Sequence, residues 1–227
     1  MRVRTAGSES WHVSIEDEQT THAVLFVRDA CGLTPDDDPV VPPRLVGEVP
    51  DLGSSMTRSD RTRASAAWTD WWRRVAEFEG AKELGEITEG ATREDALRRL
   101  TAAYAAVFDP PDFECLAAWP TLQSMSRTTC QQALRWHRHS ATPIPPDHAR
   151  WLVTKAVAEE ACAAFHVSPS RLNAAVIALA VEGTWWNFPQ PGVLLCSQEV
   201  LNEDGLFAPL LRETFARRLA LGGRPVG

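Results

Sequence analysis

The sequence predicts an α+β protein, mainly α, with about six helices packed around a C-terminal antiparallel β-hairpin. Three observations carry this. Apolar residues recur at helical spacing in several segments, with capping residues in front of them. One run, Asn173 to Glu182, is short and apolar on both faces, which fits a buried strand. A turn-rich stretch, Gly183 to Gly192, then leads to a second short apolar run, Val193 to Ser197, which is expected to return antiparallel. The chain has 227 residues and is 44% hydrophobic, enough to bury a core.

Taken in order, residues 1–13 read as irregular or as a short edge strand around Trp11 to Ile15. Ser14 has the chemistry of an N-cap, acids at 16–18 fill a first turn and Gly32 follows the last apolar residues. These signals predict a helix from about 15 to 31. The alternative is a hairpin with HVSI and HAVLFV as strands. Leu33 to Arg58 has no periodicity and carries prolines at 35, 39, 42, 43 and 50. Proline fixes φ and removes donors, so this is an extended arm. Its apolar residues (Val40, Val41, Leu45, Val46, Val49, Leu52) place it against its own body or a neighbouring subunit.

Ser59 to Phe78 reads as a helix with Ala64, Ala67, Trp68, Trp71, Val75 and Phe78 on one face and Trp72 on its flank. Thr92 with Asp95 resembles a capping box for a helix from about 93 to 108, with Leu97 in its apolar stripe. Pro120 suits the first position of a helix from 120 to 139 that gathers Leu122, Met125, Cys130, Ala133, Trp136 and His137 on one face. SATPIPP (140–146) is a stiff linker, and Asp147 caps a helix running to about Phe165. On that helix His148, Lys155, Glu159, Cys162 and His166 fall on one side. Val153, Val157, Ala161, Ala164 and Phe165 fall on the other, with Glu160 among them. A last helix begins near Gly205 with Leu206, Phe207, Leu210, Leu211 and Phe215 inward. The division is therefore an acidic N-terminal helix and arm (1–58), a helical lobe (59–139), a linker (140–146) and a helix–hairpin–helix lobe (147–227), or one compact domain overall.

Net charge is −7, and residues 1–60 hold eleven Asp/Glu against five Arg. An acidic front on a near-neutral body gives no electrostatic footprint for nucleic acid. Cysteines at 31, 115, 130, 162 and 196 are odd in number and form no CxxC, which points to reduced thiols in a cytosolic protein. The N-terminus lacks the apolar core of a signal peptide, and no run reaches membrane length.

Motifs that carry chemistry are scarce. GxxxxGK[ST] and GxGxxG are absent. His137 and His139 point about 200° apart on a helix, so with Cys130 and His148 they make no zinc site; they read as a basic last turn. Glu160, His148 and His166 are the candidate catalytic residues, Glu160 because a carboxylate among apolar neighbours must be paired or shifted. The pairing expected for it is an arginine from another helix. No cofactor and no metal are expected.

VAEEACAAFHVSPSRLNAAV, with its Ala-rich first helix and Ser168-Pro169 opening a second, resembles a helix-turn-helix segment of bacterial regulators. The resemblance covers about 20 residues within 155–180 and implies that Ser170, Arg171 and Asn173 read DNA. The competing reading makes Asn173 to Glu182 a strand. Trp185 and Trp186 then point to opposite faces. Trp186 or Trp185, with Asn187 and Phe188, forms an interaction tip, since aromatics anchor interfaces.

The function expected is a non-enzymatic interaction or assembly component of a bacterial cytosol, contacting a protein partner or itself through the arm and the Trp185–Phe188 tip. The alternatives are a DNA-binding regulator and a small hydrolase.

Overall fold

The computed structural model describes residues 10–35, 38–54, 56–140 and 148–222. In chain order these form β1 (His12–Glu16), α1 (Gln19–Ala30), α2 (Arg58–Leu84), α3 (Arg93–Val107), α4 (Pro120–Ser140), α5 (His148–Phe165), β2 (Asn173–Leu179), β3 (Trp186–Asn187), β4 (Val193–Ser197), α6 (Gln198–Asn202) and α7 (Asp204–Gly222). The fold class is α+β, mainly α. The expected linker 140–146, apart from Ser140, and the expected cap Asp147 lie outside the described residues. No helix among the described residues is long and apolar enough to cross a membrane.

The chain forms two compact units that interleave in sequence. The sheet unit takes the segment up to Asp17, residues 143–179 and residues 183–227. The helical unit takes Glu18–Thr142 and Ala180–Glu182.

In the sheet unit the strand order is β1-β2-β4-β3. The run expected as a strand, Asn173 to Glu182, is a strand over Asn173 to Leu179, and Val181 beyond it makes an isolated bridge. All the strand's residues from Ala174 on are buried on both faces, the usual state of a parallel strand. Its partner relation differs from the expectation: β2 and β4 are parallel, with Ala175 opposite Val193. The stretch between them is too long for a tight hairpin and itself contains β3, which turns back onto β4. The antiparallel hairpin is therefore β3–β4, with Trp186 opposite Cys196 and Asn187 opposite Leu195. Both α5 and α7 pack on this unit's core, with Val157, Ala158 and Ala161 meeting Val176, Leu194, Phe207, Leu211 and Phe215.

β1 pairs in parallel with β2, so Ser14 is a buried strand residue and not a helix cap. The edge-strand reading around Trp11 to Ile15 is the one that formed. Helix α1 starts at Gln19, once the acids at 16–18 have passed.

In the helical unit α1 is buried over most of its length and packs on α2 and α4. Thr57 caps α2, accepting from Asp60 N–H. The helix passes Gly80 and stops at Gly85, whose φ of 77° is the left-handed turn that glycine permits. Trp68, Trp71 and Trp72 are all fully buried. Trp72, expected at the flank, is enclosed because the arm lies over it.

The arm rests on its own body. Arg28, buried with Asp29 at 2.7 Å, donates to the carbonyls of Pro42 and Pro43. Trp72 Nε1–H donates to Val40 O at 2.9 Å, and Arg61 donates to Gly53 O at 3.0 Å. Leu45 forms a bridge to Val181, flanked by Val46 N–H to Ala180 O. On α3, Thr92 caps as predicted, but Leu97 faces solvent.

Candidate functional site

The residues expected to form an interaction tip are brought together at one corner of the sheet unit. Ser197 N–H donates to Trp185 O at 2.9 Å, and Trp185 N–H donates to Ser197 Oγ at 3.2 Å. With Trp186 opposite Cys196, this makes Trp186–Cys196 a non-hydrogen-bonded pair of the antiparallel ladder. The backbone N–H and C=O of Trp186 therefore point away from β4, at the end strand of the sheet. The Trp186 side chain is 43% exposed, while Trp185 is half-buried. Around this corner the chain is held at several points. The Arg217 guanidinium stacks 4.3 Å over the Phe188 ring and is itself bound by Glu213. Thr184 donates to Glu199 at 2.7 Å. Gly192, at φ 87°, lets the backbone turn against the Arg218 side chain.

The candidate catalytic residues do not converge. Glu160 is exposed and pairs with Arg212 of α7 at 2.6 Å. The hydrogen bond and charge of Arg212 hold its carboxyl below the ordinary range. The expected arginine partner from another helix is there; the burial is not. The buried face of α5 runs through Arg150, Thr154, Val157, Ala158 and Ala161, leaving Ala164 and Phe165 exposed. Alanines occur on every side of this helix, so apolar spacing alone places the face poorly. His148 stacks on Trp151, which also takes the Lys155 ammonium at 5.4 Å. His166 is exposed past the other end of α5, about 27 Å of helix away, in a left-handed conformation. Lys155 and Glu159 form the expected i,i+4 pair at 3.7 Å. Burial raises the Cys162 thiol, so it is not an activated nucleophile.

The segment that resembles a helix-turn-helix does not make a second helix. Ser170 and Arg171 sit in a single 3₁₀ turn, Pro169–Arg171. Asn173 opens β2, and its Oδ1 is 3.1 Å from His12 Nδ1. The β-branched, doubly buried residues that follow favour the strand. Of the histidines near Cys130, His139 Nδ1 bonds to Arg135 O at 2.6 Å, and the His137 ring lies 4.9 Å from that of His22. His22 Nε2 accepts from Ala180 N–H at 2.9 Å, so Nδ1 carries the proton and donates to Glu18 O at 2.9 Å. Both ring nitrogens of this buried imidazole are thereby engaged in structural bonds.

A second cluster, within the helical unit, was not foreseen. Lys82 Nζ lies 2.8 Å from Glu18, 2.5 Å from Glu79 and 3.6 Å from Glu83. Glu79 is 1% exposed; beyond the Lys82 ion pair, neither of its oxygens has a hydrogen-bond partner among the described residues. Burial alone would lower the Lys82 pKa. The charges of Glu79 and Glu18 and their hydrogen bonds outweigh it, so the ammonium stays protonated well above its ordinary range. A lysine in that state is no nucleophile. Tyr104 faces the cluster; its burial raises the phenol, as does the Glu79 charge, with a Thr20 hydrogen bond acting the other way. Thr20, Phe78, Glu79, Lys82, Leu100, Thr101 and Tyr104 line a cavity of about 230 Å³. The signal was present in the sequence: Trp68, Trp72, Val75 and Glu79 share one helical face at i, i+4, i+7 and i+11. Ending the helix at Phe78 hid a carboxylate on an apolar stripe.

The chain matches no family model, no curated protein and no solved structure.

Proposed function

We propose that the chain is a non-enzymatic protein-interaction component of a bacterial cytosol, and that it takes an extended segment of a partner protein along the outer edge of β3. One observation carries the reading: Trp186 presents an exposed indole together with an outward-facing backbone N–H and C=O at the end strand of the sheet. Strand addition draws affinity from main-chain hydrogen bonds and specificity from alternate side chains, and a tryptophan at the edge supplies the anchor. The bracing of Phe188 by Arg217 and of Thr184 by Glu199 lowers the ordering cost of binding. The arm has no part in this reading, because its carbonyls and its Leu45 are committed to the helical unit.

The test is site-specific photo-crosslinking in the native cell, with the crosslinker at Trp186 and a control at the exposed Leu97. A discrete adduct at position 186 that is missing at 97 is the expected result. Identical adducts at both positions, or none at 186, would overturn the proposal. Trp186→Ala in the isolated partner complex is expected to weaken binding about tenfold or more.

A further inference from the structure

We infer that the cavity between α2 and the start of α4 is a binding site for a small aromatic carboxylate. The inference concerns the helical unit and is independent of the reading of Trp186.

The cavity itself is the reason. Protein interiors are packed to the density of organic crystals, so small side chains on facing segments normally let those segments close together. Ala64 and Ala67, one turn apart on α2, are such residues, yet the chain at Trp119 to Thr121 has not closed over them. The space left between measures about 400 Å³. That volume lies at the low end of the range for small-molecule sites and suits a guest of one or two rings. The cavity is open at its mouth, where Ala118 and Pro120 are exposed and Trp119 and Thr121 half-buried.

The walls specify what the molecule is. The Trp119 indole is held by Arg74, whose guanidinium lies 5.9 Å from the ring centroid and donates to Ala106 O. An indole wall, the Pro120 ring and a floor of two methyl groups suit a flat ring better than a flexible chain, because ring stacking adds to area burial and a rigid guest loses little freedom on binding. Among the described residues of the lining, Arg63 alone is charged. Its Nη2 donates to Asp60 Oδ1 at 2.6 Å, and Thr57 in turn donates to Asp60 at 2.7 Å. Asp60 lines the neighbouring cavity and not this one, so the acid steadies the guanidinium without facing the guest. The remaining N–H groups of Arg63 match a carboxylate. Thr121 adds a hydroxyl donor at the amino end of α4, where negative charge is favoured. The guest's ring lies between Trp119 and the alanine floor, and its carboxylate accepts from Arg63 and Thr121.

The probes are phenylacetate, its neutral counterpart phenylacetamide, and hexanoate, an acid without a ring, each titrated into the full-length chain at neutral pH. NMR shifts of the Ala64, Ala67 and Ala118 methyl groups and of the Trp119 indole N–H give the readout. Phenylacetate is expected to shift these groups in a saturable way and to bind about tenfold or more tightly than either phenylacetamide or hexanoate. Arg63→Gln, at an exposed side chain whose loss spares the fold, is expected to abolish the preference for the acid over the amide. Ala118→Leu, at an exposed position on the mouth, fills the cavity and is expected to abolish binding with the fold intact. The proposal is overturned if phenylacetamide or hexanoate binds as tightly as phenylacetate, if Arg63→Gln or Ala118→Leu binds phenylacetate unchanged, or if no saturable shift occurs at tens of millimolar phenylacetate.

Discussion

Trp72 tests whether the arm is part of the fold or an attachment to it. Its indole is fully buried, lies parallel to that of Trp68 at 5.9 Å and donates Nε1–H to Val40 O at 2.9 Å. A buried indole removes ~150–250 Å² from water, which at ~25 cal/mol per Å² amounts to ~4–6 kcal/mol. Trp72→Ala also leaves a cavity, and the observed range for such changes is ~3–5 kcal/mol. Trp72→Phe is the more telling change, because it keeps an aromatic ring in the site while removing the donor together with the rest of the pyrrole ring. It leaves the Val40 carbonyl unpaired beneath the arm, at a cost of ~1–3 kcal/mol. Urea denaturation measures that loss. Amide exchange at Val41, Leu45 and Leu52 locates it, since these N–H groups are bonded to Asp38 O, Asp29 Oδ2 and Ala30 O. Exchange should quicken most at Val41, next to the lost bond, and least at Leu52. If Trp72→Phe costs less than ~0.5 kcal/mol and exchange in the arm is unchanged, the arm is not held by Trp72.

Lys82→Met strands the buried Glu79 and is expected to cost ~3–5 kcal/mol at neutral pH. The raised Lys82 pKa means its contribution is fully present below the ordinary lysine value of ~10.4 and is lost only as pH rises beyond it; a deficit in Lys82→Met already vanishing near neutrality would contradict the ion pair. His22→Ala orphans the Ala180 N–H and should cost ~1–3 kcal/mol by denaturation; no loss would mean that this bond is not formed in solution. Glu160→Gln should leave the denaturation midpoint essentially unchanged, because its pair with Arg212 is exposed; a clear loss would return it to the core. Burial pushes the Cys196 thiol up to about 12. The folded value exceeds the unfolded one, so stability is present below ~8.5 and declines as pH rises towards the folded value. Cys196→Ala should flatten that decline in alkaline urea titrations, and an unaltered slope would exclude the cause.

The sequence by itself determined the elements whose signals are local. Thr57, Thr92 and Pro120 mark helix starts because capping is settled within one turn. Trp68 and Trp71 are core because their spacing leaves them one face, and the short run after Asn173 is a strand because it is apolar on both faces, though it ends at Leu179 and not at Glu182. The pair Trp185–Trp186 is visible in the sequence, and the structure leaves Trp186 exposed and Trp185 half-buried. Only the tertiary structure decided which strand pairs with which. A two-residue strand at Trp186–Asn187 has no periodicity to read, and parallel pairing of β2 with β4 depends on where the chain returns. It also decided the face of α5, where alanine on all sides makes the pattern degenerate, and so moved Glu160 from the core to the surface. The meeting of Glu18, Glu79, Lys82 and Tyr104 from separate segments was decided there too. Caps and stripes are fixed by neighbours within a few residues; a buried charge cluster exists only once distant helices pack.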